Sequence, residues 1–222
     1  KRAKEFSELT KFVNNQLDSI YGDSFVVASA FADSAESQRV SSDLDNLGRN
    51  ADAIFIMGYD FHRPLSDSIG SVAPISGNKQ NLTSIINEFL SIVPPNKVIL
   101  GVPYYGYNWA VESDDPSAKT LQDIDGYPRA QSQLYENVMD TILDVNPEVK
   151  WDEEGKSPYF TYVSPETGEL RTVYFENVDS LKQQLKEYKE LKEKPTTEYK
   201  FENEQSRLLA EAISKGDRKE VL

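Results

Sequence analysis

The 222-residue chain sets 37 acidic residues against 24 basic ones, a net charge of −13 that disfavours nucleic acid and anionic membranes as partners. It has no cysteine, which rules out disulfides, thiol nucleophiles and cysteine-held metals. Apolar residues at 38% and aromatics at 11% suffice for a packed core, and no apolar run approaches the length of a transmembrane helix.

The length fits one large domain, or one domain with an insertion. The chain opens Lys1-Arg2-Ala3 with neither Met nor signal peptide, so it is expected to be cut from something longer. Residues Ala3 to Ile20 read as an amphipathic helix, because Phe6, Leu9, Val13, Leu17 and Ile20 recur at helical spacing. Tyr21-Gly22-Asp23 ends it. Ser24 to Phe31 reads as a short apolar strand, Ser42 to Leu47 as a short helix, and Ala53 to Tyr59 as the next strand. After a loop rich in Pro and Gly, Asn81 can cap a helix whose stripe is Leu82, Ile85, Ile86, Phe89 and Val93. Pro94-Pro95 stops that helix, and Lys97 to Val102 is a third buried strand. Strands alternating with helices through short connections imply parallel pairing by right-handed crossovers. Doubly wound and barrel folds both satisfy this pattern.

Beyond Trp109 the pattern changes. A polar loop leads to a strand and turn around Asp123 to Pro128, and Gln131 to Leu143 reads as a helix. Two alternating segments, Tyr159 to Val163 and Leu170 to Phe175, flank Ser164-Pro165-Glu166-Thr167-Gly168, a hairpin signal. Asn177 then caps a helix carrying Val178, Leu181, Leu185 and Tyr188. The block from 110 to 173 is expected to be a small α+β insertion in a barrel segment spanning 1–109. Residues 174–191 form the closing helix, and 192–222 form a charged tail with one more helix over 201–214.

Two constellations can carry chemistry. Met57-Gly58-Tyr59-Asp60-Phe61-His62 follows the strand that begins at Ala53. A phenol and a carboxylate at the C-terminal end of a buried strand can bind a polar ligand and bias a proton. Asp60 can equally cap the following turn while Tyr59 packs. The second is Gly101 to Trp109, read GVPYYGYNW, where Tyr104, Tyr105, Tyr107 and Trp109 gather after the third strand. Aromatic faces suit the flat C–H faces of sugar rings, and the same rings can also form a plain apolar plug. His62 is the sole histidine, so a histidine metal site cannot be built, and a loop hydrogen bond is its simplest role. Asp114-Asp115 and Asp123-Ile124-Asp125-Gly126 lack the further oxygen ligands of a calcium loop and read as turns. Asn81-Leu82-Thr83 is a glycosylation sequon that also starts a helix. No phosphate-binding glycine loop, dinucleotide fingerprint or GxSxG occurs, and no cofactor or metal is implied.

At these residues the chain resembles glycoside hydrolase family 18, the chitinase family of (β/α)8 barrels. Met57 to His62 is similar to the motif that ends the family's sixth strand, and Lys97 to Gly106 to its seventh. The ending Tyr107-Asn108-Trp109 is similar to bacterial cell-wall and spore-associated members, although an arginine common in that motif is Tyr107 here. Tyr174-Phe175-Glu176-Asn177, with Ser180 and Lys182, resembles the approach to the last helix. The resemblance implies an α/β fold: a partial (β/α)8 TIM barrel, strands five to seven with flanking helices, carrying a small α+β insertion.

It further implies action on β-1,4-linked N-acetylglucosamine polymers, chitin or peptidoglycan, by retaining hydrolysis in which the substrate's acetamido group assists. Tyr59 and Asp60 are then the catalytic residues present. Met57, Tyr105, Tyr107 and Trp109 line the sugar site, and the location is extracellular or cell-wall associated. The family's acid lies in Asp-x-x-Asp-x-Asp-x-Glu, and no such sequence occurs in this chain. By the resemblance, Lys1 lies just downstream of that Glu. The chain alone is therefore expected to be inactive and to partner the N-terminal half of its own barrel, or to cover its open sheet with its C-terminal helix. The alternative is a non-catalytic carbohydrate-binding or cell-envelope protein on the same fold.

Overall fold

A computed structural model describes residues 2–32, 43–77, 80–121 and 130–194. The expected turn at Asp123 to Pro128 and the tail helix at 201–214 lie outside the described residues. The described residues divide into two compact units, one holding 2–32, 43–56, 86–99 and 191–194, the other 57–77, 80–85, 100–121 and 130–190.

The first unit begins with α1 (Arg2–Tyr21), followed by β1 (Val27–Phe31), α2 (Leu44–Asn50) and β2 (Ala53–Met57). Next come α3 (Leu82–Leu90), a 3-10 turn (Pro95–Lys97) and β3 (Val98–Gly101). The strands form a three-stranded sheet in the order β1-β2-β3. A helix separates each strand from the next, the connection that parallel neighbours require. Among the described residues the sheet does not close into a barrel.

The α3 stripe read from sequence is the observed core face: Leu82, Ile85, Ile86, Phe89 and the following Val93 are all buried. Asn81 caps this helix, its Oδ1 accepting from the Ser84 backbone N–H at 2.9 Å. Lys97 reaches the other short helix, donating from Nζ to the carbonyls of Gly48 and Ala51, each at 2.9 Å. A cation on these carbonyls satisfies acceptors that a helix end leaves open.

α1 is the helix read from sequence, and much of its apolar stripe is exposed among the described residues. Leu9, Val13 and Ile20 are exposed, as is Phe12, while Ser7 and Thr10 are buried. The reason is hydrogen bonding to α2. Asn50 donates from Nδ2 to Ser7 Oγ at 2.8 Å and Ser7 O at 3.0 Å, and Asn14 donates to Asn50 O at 3.2 Å. These contacts turn the polar side of α1 inward.

The second unit is built on a five-stranded antiparallel sheet in the order β5-β4-β8-β7-β6. Its elements are β4 (Tyr105–Ala110), β5 (Ala130–Leu134), α4 (Tyr135–Val145), β6 (Lys150–Asp152), β7 (Ser157–Val163), β8 (Leu170–Phe175) and α5 (Val178–Glu193). Two expectations change here. The segment ending at Trp109 is a strand, so the sheet begins before residue 110. Gln131 to Leu143 is not one helix, because Ala130 to Trp109 through Leu134 to Tyr105 pair in register and only the remainder coils into α4. Cross-strand pairing outweighs the helix propensity of those five residues. The β7–β8 hairpin is as read, with Val163 opposite Leu170 and Gly168 at φ 73° in its turn.

Strand alternation gives this sheet two faces. One carries Tyr105, Tyr107, Trp109, Tyr174 and Tyr159, and packs with Ile69, Val72, Val111 and Ala118. Tyr159 and Tyr174 stack at 4.9 Å with planes 13° apart. The other carries Val173, Phe160 and Phe175, covered by Val138, Met139 and Ile142 of α4. Gly106 lies where β4 and β8 meet, and a Cβ there would stand 2.2 Å from the Tyr174 carbonyl oxygen.

On α5, Val178 and Leu185 are exposed, whereas Ser180, Gln184 and Leu191 are buried. The inward polar side chains serve Glu176, which is 2% exposed and accepts from Gln184 Nε2 at 2.7 Å. Its Oε1 has no partner among the described residues. Burial pushes the Glu176 carboxyl up to about 8, opposed by its bonds to Ser180 and Gln184.

Two outcomes follow from this packing. Gly106→Ala places a methyl against backbone that cannot yield, and lowers stability by about 3 kcal/mol or more in denaturant unfolding. Glu176 binds its proton in the folded chain up to about pH 8, but in the unfolded chain only to its ordinary value of 4.5. The unfolded state therefore binds fewer protons between these limits, and stability falls as pH rises through that window. Glu176→Gln removes this component, so the variant's loss of melting temperature between pH 5 and pH 9 is smaller than that of the unmodified chain.

Candidate functional site

The site grows from the way the chain leaves β2. Met57, its last residue, is half-buried. Gly58 then donates its N–H to the Gly101 carbonyl at 3.2 Å. A Cβ at Gly58 would stand 2.8 Å from that oxygen and 2.6 Å from Leu100 Cδ1, so only glycine permits the approach. This contact brings Tyr59 and Asp60 beside the segment that runs into β4.

Asp60 sits in the left-handed region at φ 63°, a conformation that Asp tolerates better than most residues. Its Oδ1 accepts from two phenols, from Tyr107 at 2.8 Å and from Tyr105. Burial first, then the bond to Asp60, raises both phenols: Tyr107 is pushed up to about 12 and Tyr105 well above the ordinary tyrosine value. Both are thus held as neutral donors. Among the described residues nothing bonds to Asp60 Oδ2 or to the Tyr59 hydroxyl, although the Tyr59 ring is half-buried.

The rings form a continuous row. Tyr59 meets Tyr105 edge-on at 6.3 Å, Tyr105 meets Tyr107 at 5.5 Å, and Tyr107 meets Trp109 at 5.5 Å. Exposure falls along it. Asp60 is exposed and Tyr105 half-buried, Tyr107 is 7% exposed, and Trp109 is 0% exposed. Trp109 donates its indole N–H toward Arg63 O at 3.4 Å and lies within the core. A surface ligand can therefore touch Tyr59, Asp60 and Tyr105, while Tyr107 and Trp109 brace them from within. Tyr104, 70% exposed, stands outside the row.

The loop after Asp60 is fixed by backbone and by His62. Phe61 N–H donates to Val72 O at 3.1 Å, and His62 Nδ1 bonds Ser71 O at 2.7 Å. Burial lowers the His62 pKa, against opposing effects of Ser71 and Asp152. It is a loop anchor, as its solitary occurrence implied. Among the described residues no group of three His, Asp or Glu is placed to hold a metal ion.

Reading the sequence alone misses that Tyr105, Tyr107 and Trp109 lie on a strand. The signal was their spacing of two, which places all three on one face. It also misses Asn108 and Arg171, which the opposite face buries.

The described fold is shared with proteins of known kind. YdhD of Bacillus subtilis, whose name reads putative sporulation-specific glycosylase, is 28% identical over 143 residues, 64% of this chain and 30% of its own length. The spore cortex-lytic enzyme SleL of Bacillus cereus superposes with a TM-score of 0.67 at 20% identity, covering 85% of this chain and 39% of SleL. The Ostrinia furnacalis Group IV chitinase, solved with allosamidin, superposes with a TM-score of 0.70 at 23% identity, covering 85% of this chain and 53% of the chitinase. The chain thus spans from under a third to about half the length of these relatives. Residues 1–194 match the sequence profile of glycosyl hydrolases family 18, and the chain belongs to that family.

Proposed function

We propose that this chain is the C-terminal part of a glycoside hydrolase acting on β-1,4-linked N-acetylglucosamine polymers, chitin or peptidoglycan. The observation that carries the reading is the convergence of Tyr59, Asp60 and Tyr105 on one surface, with Asp60 held by two phenols. Membership of a family outside the two-carboxylate scheme supports a mechanism in which the substrate's own acetamido oxygen attacks the anomeric carbon. The bond to the leaving oxygen breaks as a glutamic acid protonates it. Tyr59, whose hydroxyl is free among the described residues, bonds the acetamido group and holds it for attack. Asp60 bonds sugar hydroxyls or the polar network beside the acid through Oδ2. Met57 lines the base of the subsite, and Tyr105 offers a ring edge backed by Tyr107 and Trp109.

In this reading the sheet β1-β2-β3 is strands five to seven of a (β/α)8 barrel, and the antiparallel unit is its insertion. The barrel's N-terminal half supplies the glutamic acid, which this sequence lacks in the family's Asp-x-x-Asp-x-Asp-x-Glu form. Exposed Val27 and Phe31 on β1, with Leu9, Phe12, Val13 and Ile20 on α1, support a covering partner of that kind. The enzyme works outside the cell or at the cell wall. The absent acid motif also favours a second reading, a carbohydrate-binding protein without hydrolysis.

The 222-residue chain alone leaves chitotetraose intact, as chromatography of the products will show. Joined to a barrel half that ends in the acid motif, it releases shorter oligomers, and Tyr59→Phe lowers kcat about a hundredfold. Turnover by the isolated chain, or undiminished kcat in Tyr59→Phe, contradicts the assignment.

A further inference from the structure

The loop that leaves the candidate site carries a cation that the proposed catalysis does not use. Arg63 follows Asp60 by three residues and opens a β-turn with Pro64 at its second position. Ser66 N–H donates to Arg63 O at 2.9 Å, and Arg63 N–H donates to Ser66 Oγ at 3.0 Å. The same Arg63 carbonyl receives the Trp109 indole N–H at 3.4 Å. The backbone of Arg63 is thus fixed beside the buried end of the tyrosine row, and the proline that follows disfavours a helical conformation for it. All of these residues lie in the second unit.

The side chain is free where the backbone is not. Arg63 is exposed, and among the described residues its guanidinium makes no hydrogen bond or ion pair. Its charge still reaches the row: burial and Asp60 raise the Tyr107 phenol, and Arg63 opposes them. Tyr107 in turn bonds Asp60 at 2.8 Å, so the guanidinium stands near the surface that Tyr59, Asp60 and Tyr105 present. Two carboxylates share the loop, Asp60 and Asp67. Asp60 accepts both phenols through Oδ1, and neither carboxylate is ion-paired with Arg63 among the described residues.

A guanidinium gains little over water from neutral sugar hydroxyls. A carboxylate offers it a planar, bidentate partner. The two polymers open to the site differ in that group. Chitin repeats one neutral sugar, whereas every second sugar of peptidoglycan bears a 3-O-lactyl arm with a carboxyl terminus. The net charge of −13 repels an anionic arm from most of this chain, so a local cation decides whether the site admits one.

We propose that Arg63 is a specificity residue of the site, selecting peptidoglycan over chitin by pairing with the lactyl carboxylate of an N-acetylmuramic acid unit beside the sugar that Tyr59 holds. The inference rests on the glycosidase reading for the place of that sugar and adds which polymer fills it. Arg63 makes and breaks no covalent bond, and its contribution is to binding.

The test is an NMR titration of the full 222-residue chain with two tetrasaccharides, chitotetraose and the alternating N-acetylglucosamine–N-acetylmuramic acid tetramer. Tyr59, Tyr105 and the Arg63 Nε–H report binding. The expected result is about fivefold tighter binding of the muramic acid tetramer, the size of one exposed ion pair, with a shift at Arg63 Nε–H that chitotetraose does not produce. The preference shrinks as sodium chloride is raised from about 50 mM to about 500 mM. It disappears when the lactyl carboxylates are capped as primary amides, and in Arg63→Gln, while Arg63→Lys keeps part of it. Equal affinities in the unmodified chain, a preference that survives Arg63→Gln or amide capping, or an equal loss for both saccharides in Arg63→Gln overturn the inference and leave the glycosidase reading in place. Binding of neither saccharide at the tyrosine row overturns both.

Discussion

Two phenol hydroxyls closing on one carboxylate oxygen join parts of the chain 45 and 47 residues apart. The clasp of Tyr105 and Tyr107 on Asp60 ties the exit of β2 to the first residues of β4, and the site exists because of it. It works only because Gly58 lets two backbones approach, and because Asp60 accepts a left-handed conformation that aims its carboxylate at the rings. Burial keeps both phenols protonated, so the clasp is made of neutral donors on an ionisable acceptor.

The clasp also explains the graded exposure of the aromatic row. A ring fully open to water would wander among rotamers, whereas one packed edge-on against a buried neighbour is fixed. Trp109 is fully buried and anchors Tyr107, which anchors Tyr105, which meets Tyr59 at the surface. Residues that look equivalent in sequence thus divide into one that reaches the surface and two that hold it in place. The opposite face of the same sheet uses alternation differently, with an apolar cluster under α4 giving way to the Asn108–Arg171 network.

Polar groups shape the helices as much as apolar ones do. Asn50 draws Ser7 and Asn14 to α2 and leaves the larger apolar residues of α1 facing outward. Ser180 and Gln184 turn inward on α5 to meet Glu176, displacing Val178 and Leu185. In both helices several of the apolar residues that periodicity marks stay exposed while polar ones are buried. An unpaired buried polar group costs more than one exposed apolar side chain, so pairing decides the orientation.

Local sequence determined the features that depend on neighbours along the chain. The caps at Asn81 and Asn177, the stripe of α3, the hairpin turn at Gly168 and the Met57 to His62 motif were all legible, because each rests on residues a few positions apart. What only the tertiary structure decided rests on distant partners. The segments Tyr105–Ala110 and Ala130–Leu134 became strands through pairing with each other. Trp109 became core rather than surface because the loop around Arg63 closes over it. Asp60 met two tyrosines of β4 because a backbone hydrogen bond between Gly58 and Gly101 set the distance. Such contacts depend on which segments meet in space, and no local periodicity encodes that.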